Sequence, residues 1–350
     1  MNVLLISPLP PPRGGIAQWT TTVLSAAKKD NELNIYHINS ASSANKIVER
    51  NLFEKYIIPL KQVLKIIKQI NFLCKSNSFD AAHLTTSAGL GALRDFFVLR
   101  FLKRLRIRTV YHLHFGRFKE IVQSKSVWKF LFVDAIKHAD VIIAIDPVTL
   151  EAAKSTKKVV LIPNPIEDVE YSYSKEKCVM YLGWVSKNKG IEELLAAWEI
   201  ICKDYPEWRL EIVGPYNFQY LLELQSRFSC QNVEFMGEMS HNQAMQILKN
   251  AAILTLPSHS EGFPYSICEA MFAGKAIVAS DVGAIPMLLD NNCGVICKRK
   301  NVDDLAKCLK SVLGSEALRK TLSENAAKKS RADLSVDRVM QQYKYVWKKC

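Results

Sequence analysis

Short apolar runs alternate with longer amphipathic stretches along all 350 residues of the chain. Twelve runs rich in β-branched and aliphatic residues predict strands. They are Val3–Ser7, Asn34–Ile38, Ala81–Thr85, Thr109–Leu113, Val141–Ile145, Val159–Ile162, Cys178–Leu182, Arg209–Val213, Val233–Phe235, Ile253–Leu256, Ala276–Ala279 and Gly294–Cys297. Most of the runs are apolar at nearly every position, which is typical of parallel strands covered on both faces. Helical periodicity fills most gaps, so the pattern predicts an α/β protein with two doubly wound domains.

The boundary between the two domains is predicted at Pro165. Two prolines follow the strand that ends at Ile162, and a polar segment without a strand pattern comes next. We therefore expect an N-terminal domain over residues 1–165 and a C-terminal domain over residues 166–334. The remaining residues, 335–350, are expected to form a helix that packs back on the first domain.

Composition restricts the class of protein and its compartment. Hydrophobic residues make up 49% and charged residues 23%, which excludes disordered, collagen-like and coiled-coil proteins. The nine cysteines are scattered without a C-x-x-C pair, a pattern that favours a reducing compartment over a disulfide scaffold or a zinc ribbon. No apolar run is long enough to span a bilayer, and the first residues lack the basic region of a signal peptide. The sequence therefore predicts a cytoplasmic protein.

The positive charge is concentrated in the first half of the chain. The formal net charge is +13, and residues 1–165 hold 24 Lys and Arg against 11 Asp and Glu, whereas residues 166–350 hold 23 of each kind. This asymmetry predicts an anionic partner for the first domain. An anionic membrane surface and nucleic acid are the two candidates, and a role in solubility alone is the alternative. No recognised RNA-binding motif is present, so we expect no nucleic-acid partner.

Two basic amphipathic segments in the first half favour the membrane. In the first segment, one helical face is apolar and another is basic; the apolar residues are Phe53, Ile57, Leu60, Leu64 and Ile67, and the basic ones are Lys61, Lys65 and Lys68. The second segment, residues 94–108, includes the basic residues Arg94, Arg100, Lys103, Arg104, Arg106 and Arg108 among aromatic and aliphatic positions. Basic amphipathic helices bind anionic lipid. We expect helices that cover the sheet with part of their apolar surface and turn a basic edge to lipid.

The richest candidate site follows the strand Ile253–Leu256. A loop containing Gly262 leads into a predicted helix, Tyr265–Ala273. A helix N-terminus after such a loop presents backbone N–H groups and the positive end of the helix dipole, which suit phosphate. Glu261 in the loop and Glu269 in the helix are eight residues apart, so each element places one carboxylate near this mouth.

The sequence around these two glutamates resembles the signature of retaining glycosyltransferases of family 4. Further matches in the same order are Gly14-Gly15, Ile162–Asn164, Leu182-Gly183 with Lys189-Gly190, and Ala279–Pro286. The resemblance implies the GT-B fold, with two facing Rossmann-like domains and a central cleft. It also implies transfer of a sugar from a nucleotide diphosphate sugar to a glycan or lipid-diphosphate-linked acceptor, as in bacterial cell-surface polysaccharide synthesis, without a metal or other cofactor.

The resemblance implies a role for each matching residue. Three would be catalytic: Glu261 beside the donor sugar, Lys189 on the leaving diphosphate and His114 near the transferred sugar. The donor-binding residues would be Gly14, Gly15, Lys187, Gly262, Phe263, Pro264 and Glu269, of which Glu269 holds the ribose hydroxyls. His112 is the alternative to His114, and His83 either lines the acceptor side or packs in the core.

Two departures from the family pattern keep other functions open. Trp184 stands where an arginine is usual, and Met287 stands where a glutamate is common. Lys187 is a candidate to replace the arginine. The alternatives are a non-catalytic scaffold subunit that binds nucleotide sugars and a sugar-nucleotide epimerase on the same fold. The leading interpretation is a glycosyltransferase bound peripherally to the inner face of the cell membrane.

Overall fold

A computed structural model describes residues 1–11, 14–41, 52–87, 91–116, 118–154, 158–229 and 231–348, with the backbone alone for 52–59 and 119. The chain divides into two compact units. Unit 1 consists of Met1–Glu167 and Val336–Cys350, and unit 2 consists of Asp168–Ser335. The division after Glu167 lies close to the boundary that the prolines indicate.

Unit 1 contains a six-stranded parallel sheet. Its strands are β1 (Asn2–Ser7), β2 (Asn34–Asn39), β3 (Ala81–Thr86), β4 (Thr109–Leu113), β5 (Val141–Ala144) and β6 (Val159–Leu161). The strand order is β2-β1-β3-β4-β5-β6. Every residue of β3, β4 and β5 is buried, which explains the nearly continuous apolar runs of these strands. The helices that precede the unit boundary are α1 (Gly15–Ala27), α2 (Leu52–Ser76), α3 (Gly91–Arg104), α4 (Phe118–Gln123), α5 (Val127–His138) and α6 (Pro147–Ala153).

Unit 2 repeats this architecture. Its strands are β7 (Cys178–Leu182), β8 (Arg209–Val213), β9 (Val233–Gly237), β10 (Ile253–Leu256), β11 (Ala276–Ser280) and β12 (Val295–Cys297), in the order β12-β11-β10-β7-β8-β9. Its helices are α7 (Ile191–Ile201), α8 (Phe218–Arg227), α9 (His241–Asn250), α10 (Tyr265–Phe272), α11 (Ile285–Leu288), α12 (Val302–Leu313) and α13 (Glu316–Leu334), and a 3-10 turn, Lys187–Lys189, precedes α7. The twelve predicted strands and the doubly wound α/β class are thereby confirmed.

The strand order of each sheet reverses once. In unit 1 the reversal lies between β1 and β3, and in unit 2 it lies between β7 and β10. Ligands of open parallel sheets bind outside the carboxyl ends of the strands at such a switch point. The loops after β1 and β3, and those after β7 and β10, are therefore the places where the fold favours a site.

The last helix, α14 (Val336–Lys348), belongs to unit 1. The indole N–H of Trp19 in α1 donates to the hydroxyl of Tyr343 at 2.9 Å. The guanidinium of Arg108 donates to the backbone oxygen of Val346 at 3.2 Å. Trp347 is almost completely buried. The helix therefore completes the core of unit 1 with aromatic side chains from the end of the chain.

The buried face of α2 differs from the predicted one. Leu60 and Leu64, which were expected to help cover the sheet, are 47% and 54% exposed. The fully buried side chains in the described part of α2 include Val63, Ile66 and Ile70, and Ile67 of the predicted face is half-buried. Phe53 and Ile57 were assigned to the same face as Leu60, and their side chains lie outside the described residues. Because α2 carries apolar residues on more than one face, periodicity alone selected the wrong one.

Among the helices that the structure describes, none combines the length and the apolar character that a membrane span requires.

Candidate active site

Lys189 and Glu261 meet at the switch point of unit 2. Lys189 ends the turn that follows β7, and Glu261 lies in the loop that follows β10. The ammonium of Lys189 donates to Oε1 of Glu261 at 2.6 Å, and the hydroxyl of Ser258 donates to the same oxygen at 2.7 Å. The side chain of Glu261 is only 10% exposed. Two donors, one of them charged, therefore hold a carboxylate in a position from which most water is excluded.

Two glycines allow the loops of this site to approach each other. Gly190 has φ 71°, and a Cβ there would lie 1.9 Å from the backbone oxygen of Pro257. Gly283 has φ 56°, and a Cβ there would lie 2.3 Å from the backbone oxygen of Glu261. Both positions combine a left-handed conformation with backbone contact, so only glycine fits without displacement of a loop. The sequence resemblance includes both glycines, and the structure gives the physical reason for them.

The loop Gly262–Pro264 leads directly into the N-terminus of α10. Phe263 is 7% exposed and anchors the loop in the core. Pro264 is the N-cap residue and provides no side-chain cap. The first N–H groups of a helix have no intrahelical acceptor, and they carry the positive end of the helix dipole. Together with the nearby positive charge of Lys189, this end of α10 can hold an anion such as a phosphate.

Glu269 occupies the second turn of α10 and is held by a histidine that the sequence analysis did not single out. The side chain of Glu269 is 11% exposed, and its Oε1 lies 2.8 Å from Nε2 of His241. His241 is the first residue of α9, whose start is fixed by a capping box between Ser240 and Gln243. The carboxylate that the resemblance assigns to the ribose is therefore already oriented by a ring from a neighbouring helix.

Lys187, the candidate to replace the arginine that is missing at Trp184, contacts acidic residues instead of an open site. The ammonium of Lys187 lies 3.7 Å from the carboxylate of Glu192 and 3.9 Å from that of Glu223, and it is placed 5.8 Å from the ring centre of Tyr220. The side chain of Trp184 is 67% exposed. The diphosphate contact assigned to Lys187 stays a prediction, since its described partners are acidic residues of α7 and α8.

In unit 1, Gly14 and Gly15 stand where α1 begins, after β1 at the switch point. Gly14 has extended backbone geometry, and a Cβ there would have no atom of the described residues within 4 Å. Its backbone oxygen accepts the N–H of Gln18, which starts the helix. The space beside Gly14 is open, in contrast to the crowded surroundings of Gly190.

The three predicted histidines of unit 1 form one cluster. Nε2 of His83 lies 3.1 Å from Nδ1 of His112, and the ring centres of His112 and His114 are 3.9 Å apart. The indole N–H of Trp347 donates to Nδ1 of His83 at 3.0 Å. The ring of Trp19 lies within 5.2 Å of all three imidazoles. The structure thus joins His83, His112 and His114 and does not single out one of them.

Burial keeps these imidazoles neutral. It lowers the pKa of both His83 and His114 to about 3, and it lowers the pKa of His112 well below the usual value, with a smaller contribution from the neighbouring rings. At neutral pH the cluster can donate and accept hydrogen bonds, but it carries no charge.

Four residues that contact these sites were not predicted from the sequence: Trp19, His241, Ser258 and Trp347. Ser258 could have been predicted, because it follows the strand β10 in the motif itself. The other three act on partners that are distant in sequence, and no local pattern marks them.

One sequence family matches this chain. It is the family Glycosyl transferases group 1, and the match covers residues 165–329, almost entirely within unit 2.

Two relatives of this chain are named as transferases of sugars. An uncharacterized glycosyltransferase of Haemophilus influenzae is 23% identical over 328 residues, which are 90% of this chain and 85% of the relative. The N,N'-diacetylbacillosaminyl-diphospho-undecaprenol alpha-1,3-N-acetylgalactosaminyltransferase of Campylobacter jejuni is 32% identical over 139 residues, which are 38% of this chain and 37% of that protein.

Solved structures with a similar fold match nearly the whole chain. Sucrose-phosphate synthase of Thermosynechococcus elongatus has a TM-score of 0.78 at 17% identity, with 99% of this chain and 98% of that chain covered. HepE of Anabaena, solved in complex with UDP, has a TM-score of 0.75 at 17% identity, with 99% of each chain covered. Unit 2 therefore carries the domain of the group 1 glycosyl transferases, and the chain is a glycosyltransferase with the GT-B fold.

Proposed function

We propose that this chain is a retaining glycosyltransferase that moves a sugar from a nucleotide diphosphate sugar to a glycan or lipid-linked glycan acceptor in cell-surface polysaccharide synthesis. The observation that carries the proposal is the array of Lys189, Glu261 and Ser258 beside the N-terminus of α10, with Glu269 in the same helix. The Campylobacter jejuni relative is named for transfer to a diphospho-undecaprenol-linked sugar, and HepE was solved with UDP, which supports both substrate classes.

The donor is expected to lie along α10. The carboxylate of Glu269 accepts hydrogen bonds from the ribose hydroxyls. The diphosphate faces the N–H groups at the start of α10 and the ammonium of Lys189. As the bond between the sugar and the diphosphate breaks, negative charge accumulates on the phosphate oxygen, and Lys189 stabilises that charge. Lys189 therefore exchanges part of its contact with Glu261 for the leaving group.

The acceptor hydroxyl attacks the sugar from the face that the diphosphate leaves. The departing phosphate oxygen takes the proton of that hydroxyl, so the new bond keeps the anomeric configuration of the donor. Glu261 holds and polarises the sugar through its second oxygen. The charge role falls to Lys189 and α10, so we propose turnover without a metal, and EDTA should leave the rate unchanged.

The test is an incubation of the purified chain with UDP- and GDP-linked sugars, with and without a bacterial membrane extract. Sugar incorporation into the extract together with release of nucleotide diphosphate supports the proposal, and proton NMR of the product reports its anomeric configuration. An inverted product contradicts retention. A changed nucleotide sugar in the absence of acceptor identifies an epimerase. Binding of a nucleotide sugar without either reaction identifies a scaffold subunit.

We further propose that unit 1 attaches peripherally to the cytoplasmic face of the membrane through α2. Three lysines of α2, Lys61, Lys65 and Lys68, are exposed. Exposed apolar side chains accompany them, with Leu64 54% and Phe72 73% exposed. The exposure of Leu64 and Phe72 supports membrane attachment, because apolar and basic groups share the outer surface of α2. Such a surface suits the boundary between lipid headgroups and acyl chains.

The second basic segment contributes less than its sequence predicts. Arg100 forms an ion pair with Asp134 at 2.8 Å, and Lys103 forms one with Asp140 at 2.6 Å. These pairs neutralise part of the positive charge of α3. The adjacent helix α5 adds Phe130, which is 64% exposed. We therefore assign the main electrostatic attraction to α2.

Cosedimentation with vesicles tests the attachment. The full chain should bind phosphatidylglycerol vesicles, and binding should fall with added salt, because each lysine near an anionic surface contributes about 1 kcal/mol. Reversal of Lys61, Lys65 and Lys68 to glutamate should abolish binding. The matched control reverses three exposed lysines of unit 2, Lys298, Lys307 and Lys328, with the same change in net charge. Equal loss in both variants would contradict a site on α2.

A further inference from the structure

A chain of hydrogen bonds with a fixed direction runs from α14 to β4. The indole N–H of Trp347 can only donate, so Nδ1 of His83 accepts it at 3.0 Å. A neutral imidazole that accepts at Nδ1 carries its proton on Nε2. Nε2 of His83 therefore donates to Nδ1 of His112 at 3.1 Å. His112 is thereby placed in the same tautomer, with its proton on Nε2.

The chain of donors ends at an N–H group that has no acceptor in the described part of the chain. Nε2 of His112 is buried and has no hydrogen-bond partner among the described residues, and the same is true of Nε2 of His114. His112 as a whole is completely buried, and its ring lies 3.9 Å from that of His114. A buried donor without an acceptor is costly, and native structures rarely keep one without a reason. A hydroxyl oxygen placed beside Nε2 of His112 would accept this hydrogen bond.

We propose that Trp347 and His83 are positioning residues that fix His112 as an Nε2–H donor toward a sugar hydroxyl. This proposal rests on the proposed function, because a sugar must reach the carboxyl end of β4 in unit 1. The hydrogen bond at one ring nitrogen decides which proton the other presents. A group near the C-terminus of the chain thus sets the chemistry of a strand that lies more than 200 residues earlier in the sequence.

Tyr343 provides an internal comparison in the same helix. Its ring lies 5.7 Å from that of His83 and 5.8 Å from that of His112, so it packs on the cluster as Trp347 does. Its hydroxyl accepts from Trp19 and donates to the backbone oxygen of Pro163 at 3.4 Å. Tyr343 is therefore a packing neighbour of the cluster that stands outside the chain of donors.

The tautomers of the wild-type protein test the proposal without any substrate. Long-range proton–nitrogen NMR spectra of ¹⁵N-histidine-labelled protein distinguish a protonated Nε2 from a protonated Nδ1. At pH 7.5 we expect His83 and His112 to carry the proton on Nε2. The variants His83→Gln and His112→Gln assign the signals. A protonated Nδ1 on His112 would overturn the proposal, whether or not sugar transfer has been observed.

Trp347→Phe removes the indole donor and keeps an aromatic ring. We expect the tautomer preference of His83 and His112 to weaken and turnover to fall about 10-fold, as for other losses of an orienting hydrogen bond, with the KM for the donor nearly unchanged. Tyr343→Phe is the matched control and should keep both the tautomers and the turnover within about twofold of wild type. Circular dichroism confirms folding of both variants.

A Trp347→Phe protein that keeps the wild-type tautomers and turnover rejects the positioning role. Equal loss of turnover in both variants without a tautomer change shows a packing effect alone and also rejects it. If Trp347→Phe fails to fold, the wild-type spectrum decides. If no sugar transfer is found with any donor, the spectrum still shows whether the chain of hydrogen bonds fixes the tautomers, and the failure then concerns the proposed reaction alone.

Discussion

Units 1 and 2 each place histidines at the carboxyl edge of a six-stranded parallel sheet, and the surroundings of those histidines differ. In unit 2, Nε2 of His241 lies 2.8 Å from Glu269, and Nε2 of His259 lies 2.9 Å from Glu193. In unit 1, His83 contacts other imidazoles and indoles and is completely buried. One edge therefore pairs imidazoles with carboxylates, and the other holds an aromatic cluster whose imidazoles burial keeps neutral.

The difference shows that one fold can supply two kinds of binding surface. A charged edge with a helix N-terminus and Lys189 suits a diphosphate, whose charge grows during transfer. A neutral, hydrogen-bonding edge suits uncharged hydroxyl groups. The lysines of α2 that carry part of the excess charge of residues 1–165 are exposed, so they do not enter the histidine cluster.

Acid should separate the two units most strongly. Burial holds the pKa of His83 at about 3, against an ordinary value of 6.5. Below pH 6.5 the unfolded state takes up a proton that the folded state cannot bind, so stability is complete above this pH and is lost as the pH falls toward 3. At pH 5 this single ring lowers the free energy of unfolding of unit 1 by about 2 kcal/mol, and His112 and His114 add losses of the same sign.

Hydrogen exchange measured by mass spectrometry reports the two units separately. Between pH 7.5 and 5, after correction for intrinsic exchange rates, amides of β3 and β4 should lose protection before those of β10 and β11. Earlier opening of unit 2 would contradict the contrast between the two edges.

The next largest effect concerns the charged edge. Glu261→Gln and Lys189→Ala each remove a group placed where charge develops, and such a loss costs on the order of 10²–10³ in turnover. Thermal unfolding should change little by comparison. Lys203→Ala, an exposed lysine of the same unit, is the control. Near-normal turnover of both site variants would exclude this edge as the catalytic centre.

A smaller effect is expected for donor binding. Glu269→Ala removes the carboxylate assigned to the ribose, and a hydrogen bond to a charged group contributes roughly 1.5–3 kcal/mol. Calorimetry with UDP or with the nucleotide that the transfer assay identifies should show an affinity at least 10-fold lower. His241→Ala keeps the carboxylate and removes its orienting ring, so its loss should be smaller. Unchanged affinity in a folded Glu269→Ala protein would remove the ribose assignment.

The strands, the motif of Glu261 and Glu269 and the three histidines of unit 1 were accessible from the sequence, whereas the indoles that contact those histidines were not. Buried parallel strands are apolar along their length, so β4 and β10 stand out at their true bounds. Glu261 and Glu269 lie in one short motif, within a loop and the helix that it enters. Local sequence is sufficient in both cases, because a buried strand and a motif that spans a loop and its helix are each defined by residues close together in the chain.

The aromatic cluster around His83 depends on contacts between residues that are far apart in the chain. Trp347 reaches His83 only because α14 returns to unit 1. The same limitation applies to His241, which meets Glu269 from a different helix. The buried face of α2 was predicted wrongly for another reason. Leu64 and Ile66 both lie on apolar stripes, and only packing against α3 decides which stripe is buried.

The last comparison concerns the glycines of the two switch points. Gly190→Ala places a Cβ 1.9 Å from the backbone oxygen of Pro257 at φ 71°, and such backbone strain costs of order 1–3 kcal/mol. Because Lys189 precedes this residue, a shifted turn should also lower turnover. Gly14→Ala meets no atom within 4 Å in the described part of the chain and has extended geometry, so it should leave the free energy of unfolding unchanged.

Urea unfolding of the two alanine variants measures their free energy of unfolding. Turnover and donor-binding assays measure whether the donor still reaches its site. A stable Gly14→Ala protein with weaker donor binding would mean that the space beside α1 receives the ligand, since the added methyl group touches none of the described residues. If the Gly14→Ala protein binds the donor with normal affinity, the donor does not approach Gly14 closely, and its close contacts are those of unit 2. Gly190→Ala with normal stability and turnover would show that the turn before α7 can move away from Pro257, and that the position of Lys189 does not depend on this close contact.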